Sequence, residues 1–572
     1  MTKKIITSAL PYPHGKLHLG RVVGAYLPAD IYARFSRAMW DDVIYISGTD
    51  DHWVGIEIEA EKSWLNYSQV CAKYRQIYAD NFRSLGISFD AFTGTDTPEH
   101  AEISNDFFHK IYEQWLLLEN IGEQMYCNNC QKFLPDRYIN WTCPKCKSEW
   151  QNGDQCEKCW SMLSPEELIN PTCKTCWWSD LVRKSTKHLQ FQLQLLQDDV
   201  AKWLETKRWS RKDNVVSTAL DKWIKDDLRP RDYTRDVKCG IPVPLVWYEN
   251  KTIYVWFEAP LGYISITDWY LKKIWNRWTL NDRRKNPETE LIHFIGKDNT
   301  VFHSISRPSQ IIAYNKISEI HDKYILPTQI PANEFLNLEG KKFSTSRNFA
   351  VWTDEVVAKY NPDYVRFYLT TIMPENQDAD RKWSEFADRC NNLADNLGNL
   401  FNRATNLIIK YRDGQFMKPN QDWVSQNILL ISQDFINSIY IYRSEIVWHI
   451  SNFKFRDGLS SLMNMFSAAN KYINDTKPRE VSKTDITSAL YILDIMWRYL
   501  VTAAWLMKPY LPFTSEKILN YIYQENNLTS LPYDQIWDSF DINFRKLESK
   551  PDILFIKITP EQVAEEIEKL WL

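Results

Sequence analysis

The 572-residue sequence predicts an α/β nucleotide-binding domain that is split by a cysteine-rich insertion and followed by a helix bundle. Two segments, near residues 4–31 and 291–304, each place a short apolar strand before a turn and a helix start. Four Cys-x-x-Cys pairs lie between these segments. Beyond Trp383 apolar residues recur with helical spacing in successive stretches, which is typical of helices that share a core.

The opening segment predicts a strand, a tight turn and a helix N-terminus. Lys4–Ala9 is rich in Ile, Thr and Ala, as buried strands are. Pro11 and Pro13 end the strand, Gly15 suits the turn, and helical spacing begins near His18. A helix N-terminus beside imidazoles offers N–H groups and a dipole to an anion, so we predict a phosphate site here.

Further strands of the same domain are predicted downstream. Asp42–Ser47 is followed by the polar run Gly48-Thr49-Asp50-Asp51-His52, and parallel sheets bind ligands at the carboxyl ends of their strands. Ile253–Tyr263 predicts a strand followed by a helix start, and Leu291–Ser304 repeats the opening arrangement. The sequence therefore indicates one nucleotide-binding domain with a long insertion.

Net charge and hydrophobicity exclude several classes of protein. A formal net charge of -4 and a pI near 6.3 exclude a histone-like electrostatic binder but allow a local basic face for a nucleic acid. The sequence shows neither a charged-then-apolar leader nor an apolar run near the ~18 residues of a membrane helix. We therefore expect a cytoplasmic protein with no membrane partner.

Eight of the eleven cysteines lie between positions 127 and 176, and in a reducing compartment this favours metal over disulfides. Two thiolates from each Cys-x-x-Cys pair and two pairs for each ion make a closed tetrahedral site, so the count fits two structural Zn2+ ions. The alternative is a set of redox or chance thiols. The predicted ligands are Cys127, Cys130, Cys143, Cys146, Cys156, Cys159, Cys173 and Cys176.

The rest of the chain is predicted mainly helical. We expect helices over residues 180–225, and apolar stripes predict further helices over 425–450, 455–474 and 485–509. Between them, Glu339–Arg347 is a basic, hydroxyl-rich loop whose Lys341, Lys342 and Arg347 could neutralise phosphates.

These residues resemble the class I aminoacyl-tRNA synthetases. The signature His18-Leu19-Gly20, the late loop Lys342-Phe343-Ser344-Thr345-Ser346 and the interrupted nucleotide fold carry the resemblance. Within the class, SALPYPHGKLHLG, GTDDH, YVWFEAPLGY, HFIGKD and the four cysteine pairs are similar to the methionyl-tRNA synthetase family. The resemblance covers the chain to about residue 545.

The resemblance implies a domain architecture with defined boundaries. A Rossmann-type catalytic domain would occupy 1–115 and 226–335, split by a zinc-binding connective insertion over 116–225. A KMSKS-like loop and stem-contact segment over 336–385, an α-helical anticodon-binding domain over 386–545 and a tail over 546–572 would follow. The family's nested knuckles would pair Cys143/Cys146 with Cys156/Cys159, and Cys127/Cys130 with Cys173/Cys176.

The resemblance also implies the chemistry: methionine and ATP with Mg2+ would give methionyl-adenylate, and tRNA(Met) would then accept the methionyl group. The implied catalytic residues are His18, Arg21, Lys342 and Thr345, and ATP would also contact Tyr12, Gly20, Gly296 and Asp298. The implied methionine pocket consists of Leu10, Tyr12, Asp50, Trp256, Ala259, Pro260, Tyr263 and His303. The implied anticodon contacts are Asn392, Asn396 and Arg479.

The sequence departs from the family pattern at four functional positions. Arg21 replaces a second signature His, and Thr345 replaces a second Lys of the late loop. Arg307 stands where an aromatic residue lines the pocket, and Arg479 aligns with the Trp that reads the anticodon. Arginine binds phosphate and stacks on bases, so Arg21 and Arg479 are chemically reasonable, whereas Arg307 has no account from sequence.

Glycine is scarce in this chain: there are 16 Gly and 25 Trp, whereas ~7% glycine would give about 40. Trp40, Trp53, Trp160 and Trp177 stand where the family pattern has Gly. Trp160 and Trp177 follow the second Cys of a pair, a position that commonly needs positive φ and strains a bulky residue. We hypothesise that some of these tryptophans are glycine in the natural product, as when a UGA codon read as Gly is translated as Trp.

Three alternatives to a methionine–tRNA ligase stay open at this point. A synthetase for another aliphatic amino acid is disfavoured by the four cysteine pairs and by the missing editing insertion. A tRNA-binding paralogue with weakened or lost aminoacylation is favoured by Arg21, Thr345 and Arg307. A zinc-ribbon nucleic-acid-binding protein leaves the nucleotide motifs unexplained. Because the chain has no room for an appended dimerisation domain, we expect a monomer.

Overall fold

A five-stranded parallel sheet organises the first part of the molecule. Its strands lie in the order Ala332–Asn333, Glu290–Gly296, Lys3–Ser8, Asp42–Thr49 and Ala91–Gly94. The register pairs Ile6 with both Ile292 and Tyr45, so segments nearly 290 residues apart become neighbours. The predicted opening strand and its two predicted neighbours are confirmed, with small shifts at their ends. The split of one sheet by a long insertion is therefore present.

The computed structural model describes residues 1–134, 138–149, 151–152, 168–208, 214–274, 279–344, 348–415, 417–522, 546–547 and 549–570.

Helices cover both faces of the sheet and begin just after its strands. The first starts at Leu19, one residue after His18, and passes through a π-helical turn at Val22–Tyr26. The others in this domain are Leu27–Ala38, Val54–Ser63, Tyr67–Ser84, Pro98–Glu113, Val255–Glu258, Gly262–Lys273, Leu280–Arg283 and Arg307–Lys316.

The insertion is built on a long antiparallel strand pair, Leu117–Cys127 and Leu181–Phe191. The expectation that residues 180–225 are helical is therefore wrong for Leu181–Phe191, and helix begins only with Gln197–Glu205. Backbone pairing along all eleven residues of each strand overrides the local preference. Shorter strands are Lys132–Phe133, Ile139–Thr142, Gln151–Asn152, Ile169–Cys173, Arg231–Asp232, Thr234–Arg235 and Thr252–Ile253, and further helices are Asn214–Thr218 and Ala219–Ile224.

A small three-stranded sheet connects the catalytic-type domain to the helix bundle. Its strands are Leu336–Leu338, Lys341–Lys342 and Ala379–Arg381, and the helices Thr353–Lys359 and Pro362–Thr371 lie between them in the chain. The bundle helices are Trp383–Leu393, Ala394–Gly398, Asn399–Arg412, Gln426–Ser451, Phe455–Thr476, Pro478–Val481, Ile486–Met507 and Pro512–Ile522. The three predicted apolar stripes coincide with the three longest of these helices. A last helix, Pro560–Lys569, starts from a Thr559 capping box.

A buried arginine fixes the bundle against the sheet domain. Arg366 donates to the carbonyl oxygens of Tyr510 in the bundle at 2.9 Å and of Leu85 in the sheet domain at 3.1 Å. Its Nη2 also pairs with the Asp30 carboxylate at 2.7 Å, and neither side chain is exposed. Burial alone would raise the pKa of Asp30, but Arg34 and Arg366 lower it to about 2. The pair is therefore charged and rigid.

One helix in the described part of the chain, Ile486–Met507, is long and apolar enough to cross a membrane by composition alone. It is the central helix of the bundle, and 89% of its most apolar window is buried by the neighbouring helices. Such burial is what the core helix of a helical domain requires.

Candidate functional site

An open cavity of about 400 Å³ lies where the opening strand ends and the first helix begins. One wall comes from the turn and helix start, with Tyr12, His18, Gly20 and Arg21. The facing wall comes from Gly296 and Asp298 after the neighbouring strand and from Lys342 of the small sheet; the further lining residues include Leu10, Asn299, Glu334 and Phe343. Seven residues predicted from sequence for a nucleotide site therefore line one cavity.

His18 stands at the N-cap position of the first helix and lies partly buried against an aromatic ring. Its imidazole stacks on Phe343 of the late loop, with ring centroids 4.9 Å apart and an angle of 16°. Burial, and then the Arg21 charge, lowers the pKa of His18 to about 3, so its ring is neutral. Among the described residues Nδ1 has no hydrogen-bond partner. A neutral ring with a free nitrogen can donate to a ligand oxygen.

Gly20 lies so close to this ring that a side chain there would crowd it. A Cβ built on Gly20 would be 3.0 Å from the His18 ring and 3.3 Å from Phe343. On the facing wall, burial raises the pKa of Asp298. Lys342 is exposed at the cavity rim. The cavity thus combines a backbone that a flat ligand can approach with two cationic side chains, Arg21 and Lys342.

A pocket of aromatic side chains adjoins the cavity through the segment that contains Leu10 and Tyr12. Trp256 stacks on Phe302 with centroids 4.0 Å apart and meets Tyr12 edge to face at 6.1 Å. Ala259 and Pro260 are buried in the short turn that follows Trp256. Five of the eight predicted pocket residues thus lie along this turn and the opening segment. Phe302 was not predicted, because nothing in the sequence distinguishes it from a core residue.

Tyr263 and His303 close the pocket with a hydrogen bond whose direction can be assigned. The His303 Nδ1–H donates to the Asn299 carbonyl oxygen at 3.0 Å, since a carbonyl can only accept. Burial lowers the pKa of His303 to about 4, so Nε2 carries no proton and accepts from the Tyr263 hydroxyl at 2.9 Å. Both side chains are buried, and the pair presents a fixed, uncharged surface.

Asp50 is buried at the end of its strand with an unsatisfied oxygen. Among the described residues its Oδ1 has no hydrogen-bond partner. Burial and the nearby Glu258 carboxylate raise the pKa of Asp50 well above its ordinary value. A cationic ligand would reverse this shift by supplying the missing charge.

The Glu258 carboxylate is held between two imidazoles that sequence reasoning did not connect. Glu258 contacts His52 Nδ1 at 3.1 Å and His100 Nε2 at 2.5 Å, and neither Glu258 nor His100 is exposed. Burial alone would lower the pKa of His52, but Glu258 raises it to about 9. The three side chains come from distant segments, so spacing could not have linked them. The cluster thus places the charged pair of His52 and Glu258 close to Asp50.

Arg307, unexplained at the sequence level, is buried and contacts two of the predicted pocket residues. Its Nε donates to the Pro260 carbonyl oxygen at 3.1 Å, and its guanidinium lies 5.9 Å from the centre of the Tyr263 ring. Arg284, equally buried, donates to the Tyr263 carbonyl oxygen at 2.6 Å. Both arginines therefore brace the turn that carries the pocket residues.

Four thiols in the insertion converge at one point. The sulfur atoms of Cys127, Cys130, Cys173 and Cys176 all lie within 4.8 Å of one another. This set matches the nested pairing that the resemblance implied, and four thiols at this separation fit one tetrahedral ion. Cys143 and Cys146 lie nearby, in a turn where the Cys146 N–H donates to the Cys143 sulfur. Cys156 and Cys159 fall outside the described residues.

The predicted anticodon residues lie on the bundle. Asn392 and Arg479 are exposed, and the Asn470 side chain donates to the Asn396 carbonyl oxygen at 3.0 Å. Asn392 and Asn396 share the helical stretch 383–398, whereas Arg479 belongs to the short helix after Phe455–Thr476. Thr345 of the late loop falls outside the described residues, as do Arg347 and Trp160.

Comparison with known proteins matches both parts of the chain. Residues 4–405 match the family described as tRNA synthetases class I (M), and residues 433–568 match the anticodon-binding domain of tRNA ligase. A methionine–tRNA ligase of Pyrococcus horikoshii is 39% identical over 98% of this chain and 76% of that protein. One of Bacteroides fragilis is 38% identical over 99% of this chain and 80% of that protein.

A solved structure shows the same fold. Mycobacterium tuberculosis methionyl-tRNA synthetase in complex with methionyl-adenylate superposes with a TM-score of 0.76 at 19% identity, over 97% of this chain and all of that one. The match to the family model covers most of the chain, and the identities approach 40% over nearly its full length. The chain therefore belongs to the methionine–tRNA ligases of the class I tRNA synthetase family.

Proposed function

We propose that this protein activates methionine with ATP and transfers the methionyl group to the 3′ end of tRNA(Met). The observation that carries the proposal is the junction of two sites at Leu10 and Tyr12. On one side lies the nucleotide cavity with His18, and on the other lies the aromatic pocket with the unsatisfied Asp50 carboxylate. A substrate that spans the junction would present a carboxylate to the α-phosphate of a nucleotide.

In the first step a methionine carboxylate oxygen attacks the α-phosphorus, and the bond to the bridging oxygen of pyrophosphate breaks. His18 would donate to the phosphates, and Arg21 would add a fixed positive charge one turn of helix later. Lys342, with Thr345 of the same loop, would hold the leaving pyrophosphate. Gly20, Gly296, Asp298 and Tyr12 would position the adenosine. Mg2+ would accompany ATP as part of the substrate.

The amino-acid half would recognise methionine by shape and by one charge. The ammonium group would pair with Asp50 and supply the counter-charge that this buried carboxylate lacks. Leu10, Trp256, Ala259 and Pro260 would enclose the thioether, which packs well at ring edges. The neutral Tyr263–His303 pair would close the slot without favouring a charged side chain.

In the second step the terminal ribose hydroxyl of tRNA attacks the carbonyl carbon, AMP leaves, and the hydroxyl proton is lost. Asn392, Asn396 and Arg479 would contact the anticodon, with the guanidinium stacking on a base. The proposed parts are a catalytic domain over 1–115 and 226–335, an insertion over 116–225, a stem-contact segment over 336–385, an anticodon domain over 386–545 and a tail. We place the enzyme in the cytoplasm as a monomer.

The insertion would hold structural zinc. The converging thiols of Cys127, Cys130, Cys173 and Cys176 suit one Zn2+ ion with no open coordination position. A second ion would be held by Cys143 and Cys146 together with Cys156 and Cys159. The ions would stabilise the fold of the insertion and take no part in the transfer.

Methionine-dependent exchange of pyrophosphate into ATP tests the proposal. Exchange that saturates with methionine and not with leucine or isoleucine is the expected result. An enzyme for another aliphatic amino acid would show the opposite preference. Binding of tRNA(Met) without exchange would support the alternative of a tRNA-binding paralogue, which Arg21 in the cavity wall favours.

A further inference from the structure

Three helices of the sheet domain end in the same hydrogen-bonded motif but differ in the residue at its critical position. After Tyr67–Ser84, the N–H of Gly86 donates to Arg83 and that of Ile87 to Phe82, and Gly86 has a φ of +71°. Glycine is the usual residue at this left-handed position, because it has no Cβ.

Tryptophan occupies the corresponding position in the other two helix ends. The N–H of Trp115 donates to Tyr112 and that of Leu116 to Ile111, with a φ of 59° at Trp115. Trp40 repeats the pattern after Leu27–Ala38, with a φ of 63°. The backbone at both ends thus adopts the conformation that Gly86 adopts, although a bulky residue is strained there.

Five tryptophans in the described part of the chain share this left-handed conformation: Trp40, Trp64, Trp115, Trp177 and Trp423, with φ between 56° and 63°. They make up five of the fourteen described non-glycine residues with positive φ, and no other residue type supplies more than two. Asn and Asp tolerate the conformation, whereas an indole gains nothing from it.

The same five side chains are exposed, from 48% at Trp40 to 94% at Trp64. A second group of tryptophans behaves as tryptophan normally does. Trp141, Trp383, Trp497 and Trp505 are each at most 2% exposed, belong to hydrophobic cores and have no left-handed backbone. The five left-handed tryptophans therefore differ from these four in both exposure and backbone conformation. Exposure alone does not mark them, since Trp178, Trp247 and Trp448 are exposed without a left-handed backbone.

We propose that Trp40, Trp64, Trp115, Trp177 and Trp423 are glycine in the protein that the native host makes, and that the buried group is tryptophan. The two groups would then be encoded by different codons, one of which the host reads as glycine. This explains the left-handed backbone and the exposure together, and it accounts for part of the shortage of glycine. Trp53, also suspected from sequence, has a φ of -82°, so its backbone does not require glycine, and it is not included.

The gene and the native protein give the direct test. In the gene, we expect the five left-handed positions to share one codon that differs from UGG, and the four buried positions to carry UGG. In the native protein, we expect peptides over residues 115 and 423 to be lighter by the mass difference between tryptophan and glycine. UGG at all nine positions, or native peptides that carry tryptophan, overturns the proposal. Neither measurement depends on the enzymatic activity, so failure of the proposed function would leave the outcome unaffected.

Three variants of the full chain separate backbone strain from loss of an indole. Trp115→Gly should raise the folding equilibrium constant roughly five- to thirtyfold by removing the left-handed penalty. Trp115→Ala keeps a Cβ and should gain less. Trp448 is the matched control, because it is exposed but lies inside the helix Gln426–Ser451. Trp448→Gly should lower stability. Equal effects of glycine at positions 115 and 448 would contradict the proposal.

Discussion

The two halves of the candidate active site are built in different ways. The amino-acid half is already hydrogen-bonded: buried Tyr263 pairs with buried His303, and partly buried His52 pairs with buried Glu258. The nucleotide half is an open cavity whose cation, Lys342, is exposed at the rim. Selectivity for a small side chain needs a rigid slot, whereas phosphate transfer needs charges that close around a polyanion.

Because the two halves are built differently, we expect them to respond differently to mutation. Changes in the nucleotide half should reduce the rate of adenylate formation with little effect on methionine affinity. Changes in the amino-acid half should raise the KM for methionine, or reduce stability, because its side chains support one another in the absence of substrate.

The largest effect is expected from His18→Ala. Removing a partly buried donor to the developing phosphate charge should lower the kcat of ATP–pyrophosphate exchange ~10²–10³-fold and leave the methionine KM nearly unchanged. His14→Ala is the matched control, since His14 is an imidazole of the same turn whose ring lies 4.5 Å from the Trp53 ring at a tilt of 54° and which is not among the residues that line the cavity. An equal loss in both variants would mean that the turn, and not the His18 nitrogen, carries the effect.

The second effect separates two neighbouring lysines. Lys342 lines the cavity, whereas Lys341, its neighbour on the same short strand, lies 5.9 Å from the Phe349 ring centre and is absent from the lining. Adjacent strand residues point to opposite faces, so Lys342→Ala should cost about 1.5–3 kcal/mol of transition-state stabilisation and Lys341→Ala much less. Steady-state exchange kinetics of both variants measure the difference. A larger loss in Lys341→Ala would show that Lys341, and not Lys342, contacts the phosphates.

The third prediction concerns pH and the amino-acid half. His52 faces Glu258, Asp50, Asp51 and, 4.0 Å away, Asp96, and its pKa is raised from 6.5 to about 9. A raised pKa stabilises the fold fully below pH 6.5, and the contribution is lost as pH rises toward 9. Between pH 6 and pH 8 the free energy of unfolding should fall by about 2 kcal/mol, and His52→Gln should abolish that part of the slope. Chemical denaturation at several pH values checks it.

Periodicity predicted three of the five strands of the sheet and the three longest helices of the bundle, but not the short edge strands Ala91–Gly94 and Ala332–Asn333. The family resemblance named seven of the residues that line the nucleotide cavity. Prediction from sequence failed at Leu181–Phe191, where pairing with the distant strand Leu117–Cys127 decides the structure. The Glu258 cluster also escaped prediction, since His52 and His100 are brought to Glu258 only by the sheet. Arg307 could not be explained until its bond to the Pro260 carbonyl was known. In each case the missing information was a contact between distant segments.

The smallest effect tests whether the amino-acid half is preformed. Tyr263→Phe removes the hydroxyl that donates to His303 Nε2 and leaves that nitrogen unsatisfied. The loss of one neutral hydrogen bond should cost about 1 kcal/mol and raise the methionine KM several-fold, with kcat for exchange little changed. Tyr314→Phe is the matched control, because the Tyr314 hydroxyl donates to Asp106 at 2.8 Å, away from the pocket. If the KM is unchanged in Tyr263→Phe while kcat falls, the hydrogen bond acts in the transition state, and the rigid-slot account of this half is wrong.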